Sequence, residues 1–89
     1  MQTYSHPGTA LKAFIDGERL TVKDAAKEIG VAYLTLWNIV NAKSAITPPV
    51  AAAIERWKKT HLPGAAWLYS QCQYDVEKAA VKAAEKELA

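Results

Sequence analysis

Cysteine is nearly absent: Cys72 is the single one among 89 residues, beside one methionine and one phenylalanine. A lone cysteine excludes an internal disulfide and fits a reducing compartment. No apolar run approaches the roughly 20 residues that a membrane-spanning helix needs. The opening MQTYSHPG lacks the basic-then-apolar layout of a secretion signal, so an intact cytoplasmic protein with no membrane segment is expected. The two histidines, His6 and His61, stand far apart in sequence. No His, Cys or acidic residues fall at metal-ligand spacing, and there is no Gly-rich phosphate loop or nucleophile elbow. These absences predict a protein that is not an enzyme and uses neither metal nor cofactor. His6 reads as part of a helix start, and Cys72 as a small core residue.

What is present is apolar and helical. Hydrophobic residues make up 51% of the chain, enough for one small core in a single domain spanning residues 1–89. The net charge of +2 is modest for a nucleic-acid binder, but it is unevenly spread. Residues 1–60 carry eight Lys and Arg against five acids, whereas residues 61–89 carry three Lys against four acids.

Residues 21–43, TVKDAAKEIGVAYLTLWNIVNAK, read as two short helices hinged at one glycine. Thr21 is placed to cap the first helix, with Asp24 closing a capping box. Ala26 sits where the second helix crosses, a point that admits only a small side chain. Gly30 follows at the helix exit, where glycine takes a positive φ without steric cost. Ile29, Val31, Leu36, Ile39 and Val40 supply the apolar points that join the pair. This is the spacing of a helix-turn-helix, whose second helix enters a DNA major groove.

The rest of the chain has helical punctuation and no alternating strand pattern. A first helix is expected from Pro7 to Gly17, with Leu11, Phe14 and Ile15 on one stripe. The pair should occupy 22–29 and 33–42. A fourth helix is expected after Thr47 as cap, with Pro48 and Pro49 in its first turn and Val50, Ile54 and Trp57 facing inward, ending at Leu62-Pro63-Gly64. The last helix should run from about 63 to 88, its first half carrying Trp67 and Tyr74. Its Ala-, Lys- and Glu-rich second half gains little from its own core. The fold class is therefore all-α, five helices with an extended C-terminal helix.

With the helices placed, the chain resembles the lambda-repressor-like helix-turn-helix class and, within it, the HigA-like antitoxins of bacterial toxin–antitoxin pairs. HPGTAL (residues 6–11) resembles that family's start of the first helix. NAKSAIT (41–47) resembles the loop leaving the recognition helix, and WLYSQCQYDV (67–76) the pattern of the fifth helix. The resemblance reaches from residue 6 to about 76. It implies a dimeric protein that binds operator DNA, represses its own operon and neutralises a RelE-like ribonuclease toxin. The chain departs from the family at Val22, commonly Gln, and at Ala32, usually Ser or Thr, which cannot accept a capping bond.

Candidate contact residues follow from helix geometry. With Leu36, Ile39 and Val40 inward, Tyr33, Leu34, Trp37, Asn38 and Asn41 lie outward or at the flank. Asn38 is suited to pair with an adenine edge, Tyr33 and Thr35 with bases or phosphates, and Leu34 and Trp37 with thymine methyl groups. Lys23, Asn41, Lys43 and Ser44 lie where phosphates would be held. Core packing for Trp37, a capping role for Asn41 and a solvated charge for Lys43 are the competing readings. For a homodimer, Val81 and Leu88 of the last helix are the expected contacts. For a basic toxin, the acids Asp75, Glu77, Glu85 and Glu87 have the matching sign, with Asp16, Glu18 and the first helix as the other surface. Two other functions stay open: a free-standing or phage-type repressor, and a protein-interaction module whose apolar recognition face binds protein.

Overall fold

The computed structural model describes the backbone of residues 6–88 and the side chains of residues 6–85. Its five helices are α1 (Pro7–Gly17), α2 (Val22–Ile29), α3 (Tyr33–Val40), α4 (Pro48–Trp57) and α5 (Gly64–Leu88). Helix α3 packs on α1 and α2, α4 packs on α2, and α5 lies along α4 and the outer side of α1. One core joins them. Leu11 and Ile15 of α1, Leu36 and Ile39 of α3 and Ile54 of α4 are its fully enclosed side chains. Ala25, Ala26 and Ile29 of α2, Val50 and Trp57 of α4 and Trp67 of α5 complete it. Burying one such aliphatic side chain is worth about 1.5–3 kcal/mol.

Helix starts and stops follow the local chemistry. The His6 ring nitrogen Nδ1 accepts from the Gly8 amide at 2.9 Å and so caps α1, with Pro7 in the first turn. The Thr21 hydroxyl accepts from the Asp24 amide at 3.1 Å and caps α2. Gly30 leaves α2 at φ 91°, as the sequence requires. Ala32 starts α3 without a side-chain capping bond. Glu55 of α4 accepts from the Gly64 amide at 2.7 Å, so one helix caps the next. Trp57 donates its indole N–H to Glu28 at 3.0 Å, tying α4 to α2.

Four expectations are corrected. Helix α3 ends at Val40, two residues early, because the Asn41 side chain bonds the Trp37 carbonyl at 2.8 Å and Ala42 turns to φ 59°. Helix α4 ends at Trp57 and not at Leu62-Pro63-Gly64, because Lys58 takes φ 62° and His61 φ 57°. That turn brings Gly64 back under Glu55 and lets α5 lie on α4. Thr47 occupies the cap position of α4, yet its hydroxyl makes no capping bond. Cys72 is exposed and not a core residue. Trp67, Gln71 and Tyr74 use the inward face of α5, and Cys72, one residue beyond Gln71, is rotated about 100° away from it.

Two glycines test how tightly the helices are set. A Cβ on Gly8 would sit 1.8 Å from the Ile39 carbonyl oxygen, whereas one on Gly17 would meet nothing within 4 Å. Gly8→Ala is expected to destabilise the fold by at least about 3 kcal/mol, through forced separation of α1 and α3. Gly17→Ala should be neutral or stabilising by up to about 1 kcal/mol. Urea unfolding of the two variants beside the parent chain measures both.

Candidate nucleic-acid interface

The two short helices α2 and α3 pack together with Gly30 between them. Lys23 is exposed in the first turn of α2, where unpaired backbone N–H groups favour an anion. Helix α3 follows with Tyr33 49% exposed, Leu34 64% exposed and Thr35 exposed. Trp37 and Asn38 are half-buried at its flank. The surface thus has an aromatic hydroxyl, an aliphatic group and a β-hydroxyl at the start of the recognition helix. The carboxamide of Asn38 lies one turn later.

The loop leaving α3 is fixed from several sides. The amides of Lys43 and Ser44 both donate to the Asn38 carbonyl, at 2.8 and 3.3 Å. The Lys43 ammonium lies 4.7 Å from the centre of the Trp37 ring, a cation–π contact that holds the charge beside the recognition helix. Ser44 is exposed next to it. The Ile46 amide donates to the buried Gln71 of α5 at 2.9 Å, and the Gln71 amide group donates to Asp75 at 3.0 Å. His6 meets the same loop through a backbone hydrogen bond with Ser44, and its ring stands edge-on to Tyr74 with centroids 5.1 Å apart.

These contacts sort the candidate residues. Tyr33, Leu34, Thr35, Lys23, Lys43 and Ser44 are each exposed, and Trp37 and Asn38 are half-buried. Asn41 has the capping role, since its amide is bonded to Trp37 within the chain. The acids do not form one patch. Asp75 is bonded to Gln71, Asp16 pairs with Lys12 at 2.5 Å, and Glu18 lies 3.9 Å from Lys59. Glu77 is half-buried, and Glu85 lines a shallow depression with Lys78, Val81 and Lys82. Val81 is half-buried there, while the Leu88 and Glu87 side chains lie outside the described residues. His6, Gln71 and Tyr74 were not singled out as site residues by sequence reasoning, although they position the loop. Their signal was the 67, 71, 74 spacing, which puts Trp67, Gln71 and Tyr74 on one helical face. Among the described residues no group of three or more His, Cys, Asp or Glu could hold a metal ion.

Comparison with known proteins places this geometry. Virulence-associated protein A of Dichelobacter nodosus is 31% identical over 87 residues, covering 97% of this chain and 84% of the relative. The chain belongs to the virulence-associated protein A family. A second member, virulence-associated protein A′ of the same organism, is 29% identical over 86 residues, covering 97% of this chain and 74% of that one. No protein-family model matches. Among solved structures, a HigA-family addiction module antidote protein from Coxiella burnetii superposes with a TM-score of 0.82. It has 23% identity, over 97% of this chain and 91% of that one. An antidote protein of a plasmid maintenance system from Nostoc punctiforme gives 0.83 at 22% identity, over 99% and 92%. The Pseudomonas aeruginosa antitoxin HigA with the higBA promoter gives 0.83 at 20% identity, over 92% and 88%. The five-helix helix-turn-helix architecture is therefore that of the HigA-like antitoxins, as the three sequence motifs implied.

His6 makes the support of the interface sensitive to pH. Burial pushes its pKa below the ordinary 6.5, a shift that Lys78 reinforces and that the Ser44 backbone bond and Asp75 oppose. The fold therefore favours neutral His6, whose Nδ1 must stay unprotonated to accept from Gly8. The unfolded chain takes up the proton first. The contribution is fully present above pH 6.5 and is lost as pH falls through the lowered folded value. The urea midpoint should drop between about pH 7.5 and about pH 5. His6→Asn, which keeps a capping acceptor that does not titrate, should flatten that dependence.

Proposed function

We propose that this chain is an antitoxin that binds operator DNA as a homodimer, represses its own operon and neutralises a RelE-like ribonuclease toxin in the cytoplasm. The observation that carries the DNA part is the recognition helix, with Tyr33, Leu34 and Thr35 outward and Lys43 held beside Trp37. A fixed cation next to a groove-reading helix positions the protein on phosphates, while the helix side chains meet base edges. The chain is a binding protein and not an enzyme. No helix among the described residues is long and apolar enough to cross a membrane.

The toxin part rests on the family likeness and on charge. A toxin that binds RNA offers a positive face, and residues 61–89 are the acid-leaning part of the chain. Asp75 is committed to Gln71 and Glu77 is half-buried. Glu85, exposed beside Lys78 and Lys82, and Glu87, whose side chain lies outside the described residues, are the acids left in that segment, with the α1 surface around Asp16 and Glu18 second.

Binding to DNA from upstream of the gene should fall with salt at a log–log slope of roughly −5, if each subunit of a dimer neutralises about three phosphates. Asn38→Ala should cost about 1–3 kcal/mol and relax preference at one base pair per half-site. Lys43→Ala should weaken all sequences alike. Fluorescence anisotropy measures each, and absence of binding at low salt removes the repressor reading. A second reading is favoured by the exposure of Tyr33 and Leu34, 49% and 64%: this face docks on a protein. It predicts that Leu34→Lys abolishes a protein complex while no DNA is bound.

Co-expression with the product of the neighbouring gene tests the pairing. Growth should be rescued, and Glu85→Lys with Glu87→Lys should slow association more than they speed dissociation. A neighbouring product that neither binds nor is toxic leaves a free-standing repressor.

A further inference from the structure

The loop leaving α3 and the middle of α5 border a cleft of about 130 Å³. Lys43 and Ser44 line it from the loop, and Tyr74, Asp75 and Lys78 line it from α5, together with His6. Both ammonium groups are restrained by aromatic rings. That of Lys43 lies 4.7 Å from the centre of the Trp37 ring, and that of Lys78 lies 5.9 Å from the centre of the Tyr74 ring. Among the described residues neither lysine forms an ion pair. Asp75 is the one carboxylate among the described lining residues, and it accepts from the Gln71 amide group at 3.0 Å. Burial lowers the pKa of His6, so its ring adds no charge near pH 7. Two lysines against one engaged acid leave the cleft positive.

We infer that this cleft holds one phosphate group of the DNA backbone, gripped between Lys43 of the loop and Lys78 of α5. The inference rests on the DNA-binding part of the proposed function and is independent of its toxin part. Chemistry selects the ligand. Two ammonium groups and a hydroxyl on the same cleft are donors for an anion with several acceptor oxygens, and a lysine binds phosphate as a point charge. Position selects its source. A recognition helix meets base edges with its N-terminal residues, here Tyr33, Leu34 and Thr35, so the loop beyond its C-terminal end stands towards the strand bordering the groove. Lys43 joins the two places, since it lies against Trp37 of α3 and also lines the cleft. Lys78 thereby adds α5 to a surface otherwise built from α2, α3 and the loop, and it does so from the helix whose Gln71 holds that loop at Ile46.

Fluorescence anisotropy of the full chain tests the site, with a duplex from upstream of the gene and an unrelated duplex, each across a salt series. Lys78→Gln should weaken both duplexes by the same factor and make the log–log salt slope shallower by about one per subunit. Lys78→Arg, which keeps the charge, should retain the parent slope. Lys82→Gln, one turn further along α5 and outside the cleft, should change the slope much less. Lys78 and Lys82 are both exposed, so helical circular dichroism should be the same in every variant. The affinity losses of Lys43→Gln and Lys78→Gln should not add in full in the double variant, because one phosphate is shared. A parent slope in Lys78→Gln, with DNA still bound, overturns the cleft and leaves the repressor reading intact. An equal effect of Lys82→Gln also overturns it, since the loss then reflects the overall charge of α5. Full additivity with Lys43→Gln overturns the shared phosphate. A parent chain that binds neither duplex at low salt removes the repressor reading and this site together.

Discussion

The contact between Gly8 and the Ile39 carbonyl fixes where the first helix meets the end of the recognition helix. No side chain fits between them, since a single added carbon would lie 1.8 Å from the oxygen. With that distance set, His6 caps α1 from the residue just before it and reaches the loop at Ser44. Gln71 holds the same loop at Ile46, and Tyr74 stands against the His6 ring. Helix α5 and the start of α1 thus grip the segment that leaves α3 from two sides. Under the proposed repressor reading, preorganisation of this kind is what a groove-reading helix needs.

It follows that the residues by which the chain resembles its family are mainly supports. His6, Gly8, Trp67, Gln71 and Tyr74 are turned into the body or onto the loop, and Asp75 is tied to Gln71. Residues that would meet a partner are different ones: Tyr33, Leu34 and Thr35 project from the frame without holding it together. Such positions can change identity at little cost in stability. The Coxiella burnetii structure shares this fold at a TM-score of 0.82 with only 23% identity. The outward start of α3 is apolar here, with Tyr33 and Leu34 exposed and taking no part in the core.

Much of this was legible in the sequence because it depends on local rules. Pro7, Thr21 and Gly30 mark helix ends by backbone chemistry alone, and the spacing of Leu11, Ile15, Leu36, Ile39 and Ile54 gives the core its stripes. The errors at Lys58 and Cys72 lie where distant residues decide, whereas the end of α3 is set locally. Lys58 is an ordinary residue with no sign of a left-handed turn, and α4 stops there because Trp57 must reach Glu28 and Glu55 must cap α5. Asn41 ends α3 through its own side chain, the capping role that competed with phosphate binding in the sequence. Cys72 reads as an inside residue because a small sulfur-bearing side chain between Trp67 and Tyr74 looks like core. Only the direction in which α5 packs puts it outside. The acids of the C-terminal segment look like one surface in the sequence, yet Asp75 turns to Gln71 while Glu85 faces a depression with two lysines.

The division of α5 into two faces links these scales. Its inner face holds the loop behind α3 through Gln71 and Tyr74, and its outer face is exposed at Tyr69, Cys72 and Val76. Any partner seated on the outer face therefore acts on the same helix that holds the loop leaving α3. Movement of α5 would shift Gln71 and Tyr74 together, and with them the Ile46 and His6 contacts. Under the proposed repressor reading, a partner that favours one position of α5 would bias the loop that leaves α3 by as much as its affinity differs between positions.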